Sequence, residues 1–134
     1  MARFGNRMQV PRFKRGAVQV TSGMKNVLLE TTGAKSGMPR PVVVGYLPDG
    51  DGRWLIVASV AGASWQPNWL HNLAAHPEAT IQFPDGQREA VTATTVAGPD
   101  AEAAWERIRN EVPAYFNYRS KTDREIPIVR LTRR

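Results

Sequence analysis

Between Gly33 and Arg40 the chain reads Gly-Ala-Lys-Ser-Gly-Met-Pro-Arg. A glycine-rich turn lets backbone N–H groups close around an anion. Lys35 adds a point charge, Ser36 a hydroxyl, and Arg40 a planar fork suited to phosphate or carboxylate. The nucleoside-triphosphate loop is excluded, because it needs glycine just before its lysine and a helix just after. Here Ala34 precedes Lys35, and Met38-Pro39-Arg40-Pro41 forbids the helix. Taken alone, this loop reads equally well as an anion site or as an ordinary solvated turn.

Two further segments carry chemistry. Residues 58–64 (Ala-Ser-Val-Ala-Gly-Ala-Ser) are almost free of bulk, which lets a flat ligand approach the backbone; a plain connector is the competing reading. The helix expected after Pro67 opens towards this corner, and its unsatisfied N–H groups favour an acceptor-rich ligand. Trp65 and Trp69 could flank a ring, although tryptophan at helical spacing more often packs in a core. Tyr115 and Tyr118, with Phe116 between them, offer phenols that could donate a proton or hydrogen-bond a substrate oxygen; a packed aromatic bridge is the plainer reading.

Other chemistries lose their support. No cysteine is present, so thiolate metal sites, disulfides and thiol nucleophiles are excluded. His71 and His76 are five apart and do not share a helix face as an i, i+4 zinc pair would, so no metal site is expected. Asp49 and Asp51 sit among glycines in a turn and read as solvated. No serine lies in a nucleophile elbow, and Gly50-Asp51-Gly52 lacks the remainder of a dinucleotide fingerprint.

The elements that must position these groups follow from the apolar pattern. Residues 27–32 read as a strand, 42–47 and 54–58 as a hairpin about the turn 48–52, and 67–75 as a helix stopped by Pro77. A second hairpin spans 78–83 and 88–96. A helix capped by Asp100 carries Ala101, Ala104, Trp105, Ile108 and Val112 at helical spacing up to Pro113. Residues 126–131 form the last strand, with Pro127 at an edge or a strand start. About six short antiparallel strands with two or three short helices favour a small closed or split barrel, a mainly β fold that removes exposed sheet edges.

The chain has 134 residues, enough for one core and too few for two ordinary domains. No apolar run reaches the roughly 18 residues of a membrane-spanning helix, and the N-terminus lacks a secretory signal core, which points to the cytoplasm. The net charge of +6 is unevenly distributed. Residues 1–25 carry six basic residues and no acid, and read as a basic arm, short helix or extended, before a domain at 26–134. The middle is acidic apart from the Lys35 and Arg40 loop.

Taken together, Leu29-Glu30-Thr31-Thr32-Gly33-Ala34-Lys35-Ser36-Gly37-Met38-Pro39-Arg40, then Val57-Ala58-Ser59, then Pro67-Asn68-Trp69-Leu70-His71-Asn72-Leu73 and His76-Pro77, resemble the deazaflavin-dependent nitroreductase family of actinobacteria. Tyr115-Phe116-Asn117-Tyr118 and Thr122-Asp123-Arg124-Glu125-Ile126-Pro127 extend the resemblance over about residues 26–131. It implies a six-stranded antiparallel split β-barrel, flavin-reductase/pyridoxamine-oxidase-like, that binds coenzyme F420, a hydride carrier with a phospholactyl-polyglutamate tail. By position, Lys35, Ser36 and Arg40 would hold the phosphate and the start of the tail. Val57, Ala58, Ser59 and Val60 would line the ring, and Asn68, Trp69 and Asn72 would complete that pocket. Tyr115 and Tyr118 would border the substrate and, with Ser59, form the catalytic set; Tyr46 is a weaker choice. The family often has a basic residue where Ala34 and Val60 stand, and an aromatic at Leu70.

The implied activity is hydride transfer from reduced F420 to an electron-poor acceptor such as a nitroaromatic, a quinone or an activated enone. The rivals are a split barrel that holds flavin mononucleotide or a haem-related ligand, and a noncatalytic protein whose basic ends bind nucleic acid or a membrane surface. With the enzyme reading, nucleic acid is not expected as a partner, the small-molecule acceptor is, and the basic arm leaves peripheral membrane contact open. Monomer and homodimer are both compatible.

Overall fold

The computed structural model describes residues 20–21, 24–58, 67–111 and 127–134. Among these described residues seven strands and two helices follow in order: β1 (Val20–Thr21), β2 (Met24–Thr32), β3 (Pro39–Pro48), β4 (Arg53–Val57), α1 (Asn68–Ala75), β5 (Glu78–Gln82), β6 (Arg88–Thr95), α2 (Gly98–Glu111) and β7 (Ile128–Arg133). All strand pairs are antiparallel. The order β2-β3-β4-β7-β6-β5 closes through a β2–β5 pairing, giving the six-stranded barrel with two helices. One edge of β2 is shared: β1 pairs at Met24 and Lys25, and β5 at Leu28 to Glu30. The sheet therefore begins earlier than the apolar pattern implies, because β2 starts at Met24, inside the segment assigned to the basic arm.

Strand alternation divides the apolar residues into two sets. Val27, Leu29, Val42, Trp54, Ile56, Ile81, Val91, Val129 and Leu131 fill the barrel interior, where Trp69 and Leu73 of α1 join them. The opposite parity places Leu47, Leu55, Val57 and Ile128 outside the barrel against Ala104, Trp105 and Ile108 of α2. β4 is thus buried on both faces from Trp54 to Val57, which is why that stretch is continuously apolar rather than alternating, and β7 is buried on both faces only at Ile128 and Val129. Deleting a fully buried side chain here, such as Leu131→Ala, is expected to cost about 2–5 kcal/mol.

Pro67 precedes α1 with φ −69° and ψ 149°, a capping position at which its missing N–H costs nothing. Pro127 lies just before β7, and its carbonyl accepts the Ala58 N–H at 2.9 Å, so the strand-start reading holds. Asp100 does not cap α2: the helix opens two residues earlier, and the carboxylate is held by Arg130 at 2.8 Å.

Candidate functional site

The hairpin joining β2 to β3 is the loop that carries Lys35, Ser36 and Arg40. Its neck is fixed by Gly33 N–H to Met38 O at 2.8 Å and Gly37 N–H to Gly33 O at 2.9 Å. Gly37 adopts φ +69°, a left-handed conformation that a side chain would strain. Gly33 is required for a different reason: a Cβ there would collide with Ser36 Oγ and come within 3.4 Å of Arg40 Nε. The missing side chain makes the space in which Ser36 and Arg40 converge.

Ser36 Oγ accepts hydrogen bonds from Met38 N–H at 3.1 Å and Arg40 Nη2 at 3.3 Å, which leaves its own proton to donate. Lys35, Ser36 and Arg40 are exposed. Among the described residues no carboxylate pairs with Lys35 or Arg40, in contrast to Arg107, Arg130 and Arg133. A hydroxyl and a guanidinium therefore converge next in sequence to a lysine, with no counter-ion among the described residues, a donor set that suits a phosphate.

The loop stands at one end of a split in the barrel. The β3–β4 ladder runs only from Tyr46↔Ile56 to Pro48↔Trp54, whereas β3 pairs with β2 from Pro39 to Tyr46. Residues 39–45 consequently present one edge with no strand partner among the described residues. Arg40 is the second residue of that edge.

The other expected ring-pocket positions are distributed unevenly. Val57 and Ala58 are buried on opposite sides of β4, Val57 towards α2 and Ala58 in the barrel interior, so what they offer a ligand is backbone. Trp69 is 7% exposed and packs in the barrel interior, the plainer of its two readings. Asn68, the first residue of α1, is exposed. Asn72 is half-buried and joins α1 to the loop: Oδ1 accepts the Ala34 N–H at 3.0 Å, and Nδ2 donates to Thr31 Oγ1 at 3.0 Å. Ser59, Val60, Tyr115 and Tyr118 lie outside the described residues, as do Trp65 and Phe116.

Tyr46 belongs to a different place. Its ring meets Phe83 edge-on at 5.6 Å, and both line a cavity of about 610 Å³ with Trp54, Lys25, Glu89 and Arg133 at the far mouth of the barrel. The seven steps from Lys25 to Thr32 separate that mouth from the loop by about 23 Å along the strand. Burial, reinforced by the Asp85 charge, pushes the Tyr46 phenol above its ordinary pKa.

Asp49 was expected to be solvated and is not. Its carboxylate receives Arg107 Nη1 at 3.0 Å and Arg130 Nε at 2.6 Å. Only Asp51 is fully exposed. The partners of Asp49 stand 58 and 81 residues away, beyond any local spacing rule. Among the described residues no group of three His, Cys, Asp or Glu side chains could hold a metal, and no helix is long and apolar enough to cross a membrane.

Comparison with known proteins places the chain in a family. Residues 5–133 match the family model described as F420H(2)-dependent quinone reductase. The chain belongs to that family. An F420H(2)-dependent quinone reductase of Mycobacterium tuberculosis (strain H37Rv) is 44% identical over 112 residues, which are 81% of this chain and 74% of that one. The solved structure of an F420-H2 dependent reductase (FDR-A) is 34% identical with a TM-score of 0.70, covering 86% of this chain and 99% of the other. A structure described as a domain-swapped dimer is 31% identical with a TM-score of 0.72, covering 93% and 95%. As an F420H(2)-dependent quinone reductase family member the protein is an oxidoreductase, its cofactor is coenzyme F420, and its acceptors are of the quinone type. The barrel is the flavin-reductase-like fold of its F420-dependent neighbours, as the resemblance implied.

Proposed function

We propose that the loop at residues 35–40 is where this enzyme grips the phosphate of F420, and that a quinone is reduced beside the small-residue corner that follows β4. The observation that carries this reading is the convergence of Ser36 Oγ and Arg40 Nη2 at 3.3 Å, next in sequence to Lys35, which has no carboxylate partner among the described residues. Bound there, the reduced deazaflavin supplies a hydride to an electron-poor acceptor. The chain's own groups do the rest. Arg40 and Lys35 balance the charge of the tail, and Ser36 donates its hydroxyl proton to a phosphate oxygen. Residues 57–60, Asn68 and Trp69 form the wall of the ring pocket, chiefly through backbone and packing. Tyr115 or Tyr118 hydrogen-bonds the acceptor oxygen and gives up a proton as the quinone becomes a quinol.

Titration with oxidised F420, followed by coenzyme fluorescence, tests the reading. Arg40→Ala is expected to weaken binding by about 1–3 kcal/mol, the range for hydrogen bonds to charged groups. Unchanged binding would overturn the assignment of the loop.

The likeness to a domain-swapped dimer supports a homodimer, which light scattering after size exclusion would test against the monomer mass of 14.9 kDa. The six cations and no acid of residues 1–25 support peripheral contact with an anionic membrane surface. Cosedimentation with anionic but not neutral vesicles is the corresponding test.

A further inference from the structure

We propose that Asn72 is a positioning residue that fastens the anion-binding loop to helix α1, and not a ligand of the coenzyme; this rests on the phosphate reading of residues 35–40. Both polar ends of its amide are engaged within the protein. Oδ1 accepts the Ala34 N–H at 3.0 Å, and because a peptide N–H can only donate, the amide has a single orientation. Nδ2 therefore faces Thr31 and donates to its Oγ1 at 3.0 Å. The Thr31 hydroxyl passes its own proton on to the Arg40 carbonyl at 3.4 Å, across the register pair Thr31↔Arg40.

One side chain of α1 thus holds the loop at three points: the residue before Lys35, the last turn of β2, and through Thr31 the backbone of Arg40. The helix has its own anchor, since Trp69 and Leu73 are 7% and 5% exposed in the barrel interior. Asn72 lies on the same helix face, three residues after Trp69 and beside Leu73. Packing of α1 in the barrel mouth is transmitted to Lys35 and Arg40 by hydrogen bonds that only an amide at this position makes. Thr31, 2% exposed, forms the far side of the same device.

The experiment compares Asn72→Leu, Asn72→Asp and Thr31→Val with the full chain, using two ligands and one ligand-free measurement. The ligands are F420 and a deazaflavin that lacks the phospholactyl-polyglutamate tail. The ligand-free measurement is the exchange rate of the Ala34 amide proton.

Asn72→Leu and Thr31→Val are each expected to weaken F420 by about tenfold while leaving the tail-less ring within about twofold. Amide exchange at Ala34 quickens in Asn72→Leu. Asn72→Asp keeps the acceptor for Ala34 and lies between Asn72→Leu and the parent, and Thr31→Ser restores what Thr31→Val loses. Thermal melting checks that each variant is folded, and Thr31→Val carries the test if Asn72→Leu is not.

Equal losses for both ligands in Asn72→Leu would overturn the proposal and make Asn72 a direct contact of the ring, and no effect of Thr31→Val would overturn it by showing that the link to Arg40 carries nothing. If the parent chain binds neither ligand, the phosphate reading of the loop fails. Ala34 exchange then still decides whether Asn72 fastens it.

Discussion

Arg130 Nε lies 2.6 Å from Asp49 Oδ2, while the same guanidinium reaches Asp100 Oδ2 at 2.8 Å through Nη1. Arg107 closes the circuit by holding Asp49 Oδ1 at 3.0 Å and donating to the Pro48 carbonyl through Nη2. Strand β7, the β3–β4 turn and helix α2 are thereby pinned at one carboxylate whose side chain is only 18% exposed. Removing it takes one partner from each of Arg107 and Arg130, which keep Glu111 and Asp100, at a partly buried carboxylate, which costs more than a surface pair. Asp49→Ala is expected to lower stability by about 1–3 kcal/mol in urea unfolding. Asp51→Ala, next in the same turn and fully exposed, should stay within about 0.5 kcal/mol. Equal effects at the two positions would show that the circuit carries no stability.

The same circuit predicts an acid response. The hydrogen bond from Arg130, helped by the charges of Arg130 and Arg53 against an opposing desolvation, holds the Asp100 carboxyl below its ordinary range. A carboxyl depressed in the folded state binds fewer protons there than in the unfolded chain. Its stabilisation is therefore present above the unfolded value of about 3.9 and is lost as pH falls through the lower folded value. Urea midpoints measured from pH 6 downward should drop less steeply below about pH 4 in Asp100→Asn than in the parent. Parallel profiles would assign the acid loss to other carboxylates.

The parts legible in the sequence are those governed by near neighbours. The hairpin over residues 42–58 follows from a valine-rich run, a glycine-aspartate turn and a second apolar run, and the observed β3 and β4 match it with β3 extended three residues earlier through Pro39. That extension was hidden because prolines 39 and 41 argue against a strand, yet β3 is free of a β4 partner at just this end. The loop at residues 33–40 was legible by residue type as a candidate anion site, but its geometry was not. Asn72 meets Ala34 and Thr31 across 38 and 41 residues, and no spacing rule reaches that far. Asp49 was misread for the same reason. Val57 and Ala58 share an apolar run that conceals which faces α2 and which faces the barrel, because both sides of β4 are buried.

Gly33 offers a test of the loop that does not alter any charged group. A Cβ at this position would strike Ser36 Oγ, so Gly33→Ala must push the hydroxyl away from Arg40. Backbone strain is not the cause, because Gly33 is not among the glycines of positive φ. Expected is a loss of F420 affinity of about 1–2 kcal/mol, similar to that of Ser36→Ala. The double variant Gly33→Ala/Ser36→Ala should be no worse than Ser36→Ala alone, since the collision is gone once the hydroxyl is. Additive losses in the fluorescence titration would mean that Gly33 acts through something other than the space it leaves for Ser36.

Tyr115 is the position where the resemblance and the chemistry of quinone reduction make the sharpest joint demand. Reduction of a quinone by a hydride leaves charge on an oxygen, and a phenol within hydrogen-bonding reach stabilises that oxygen and then protonates it. Tyr115→Phe keeps the ring, its packing and the local apolar surface, and removes only the donor. Turnover at saturating F420H2 and quinone should fall by about 10²-fold or more if this phenol is the general acid, with F420 binding unchanged. Tyr118→Phe, measured alongside, identifies which phenol carries the proton. If neither single change lowers turnover, the proton reaches the acceptor from solvent or from Ser59, and Ser59→Ala becomes the deciding variant.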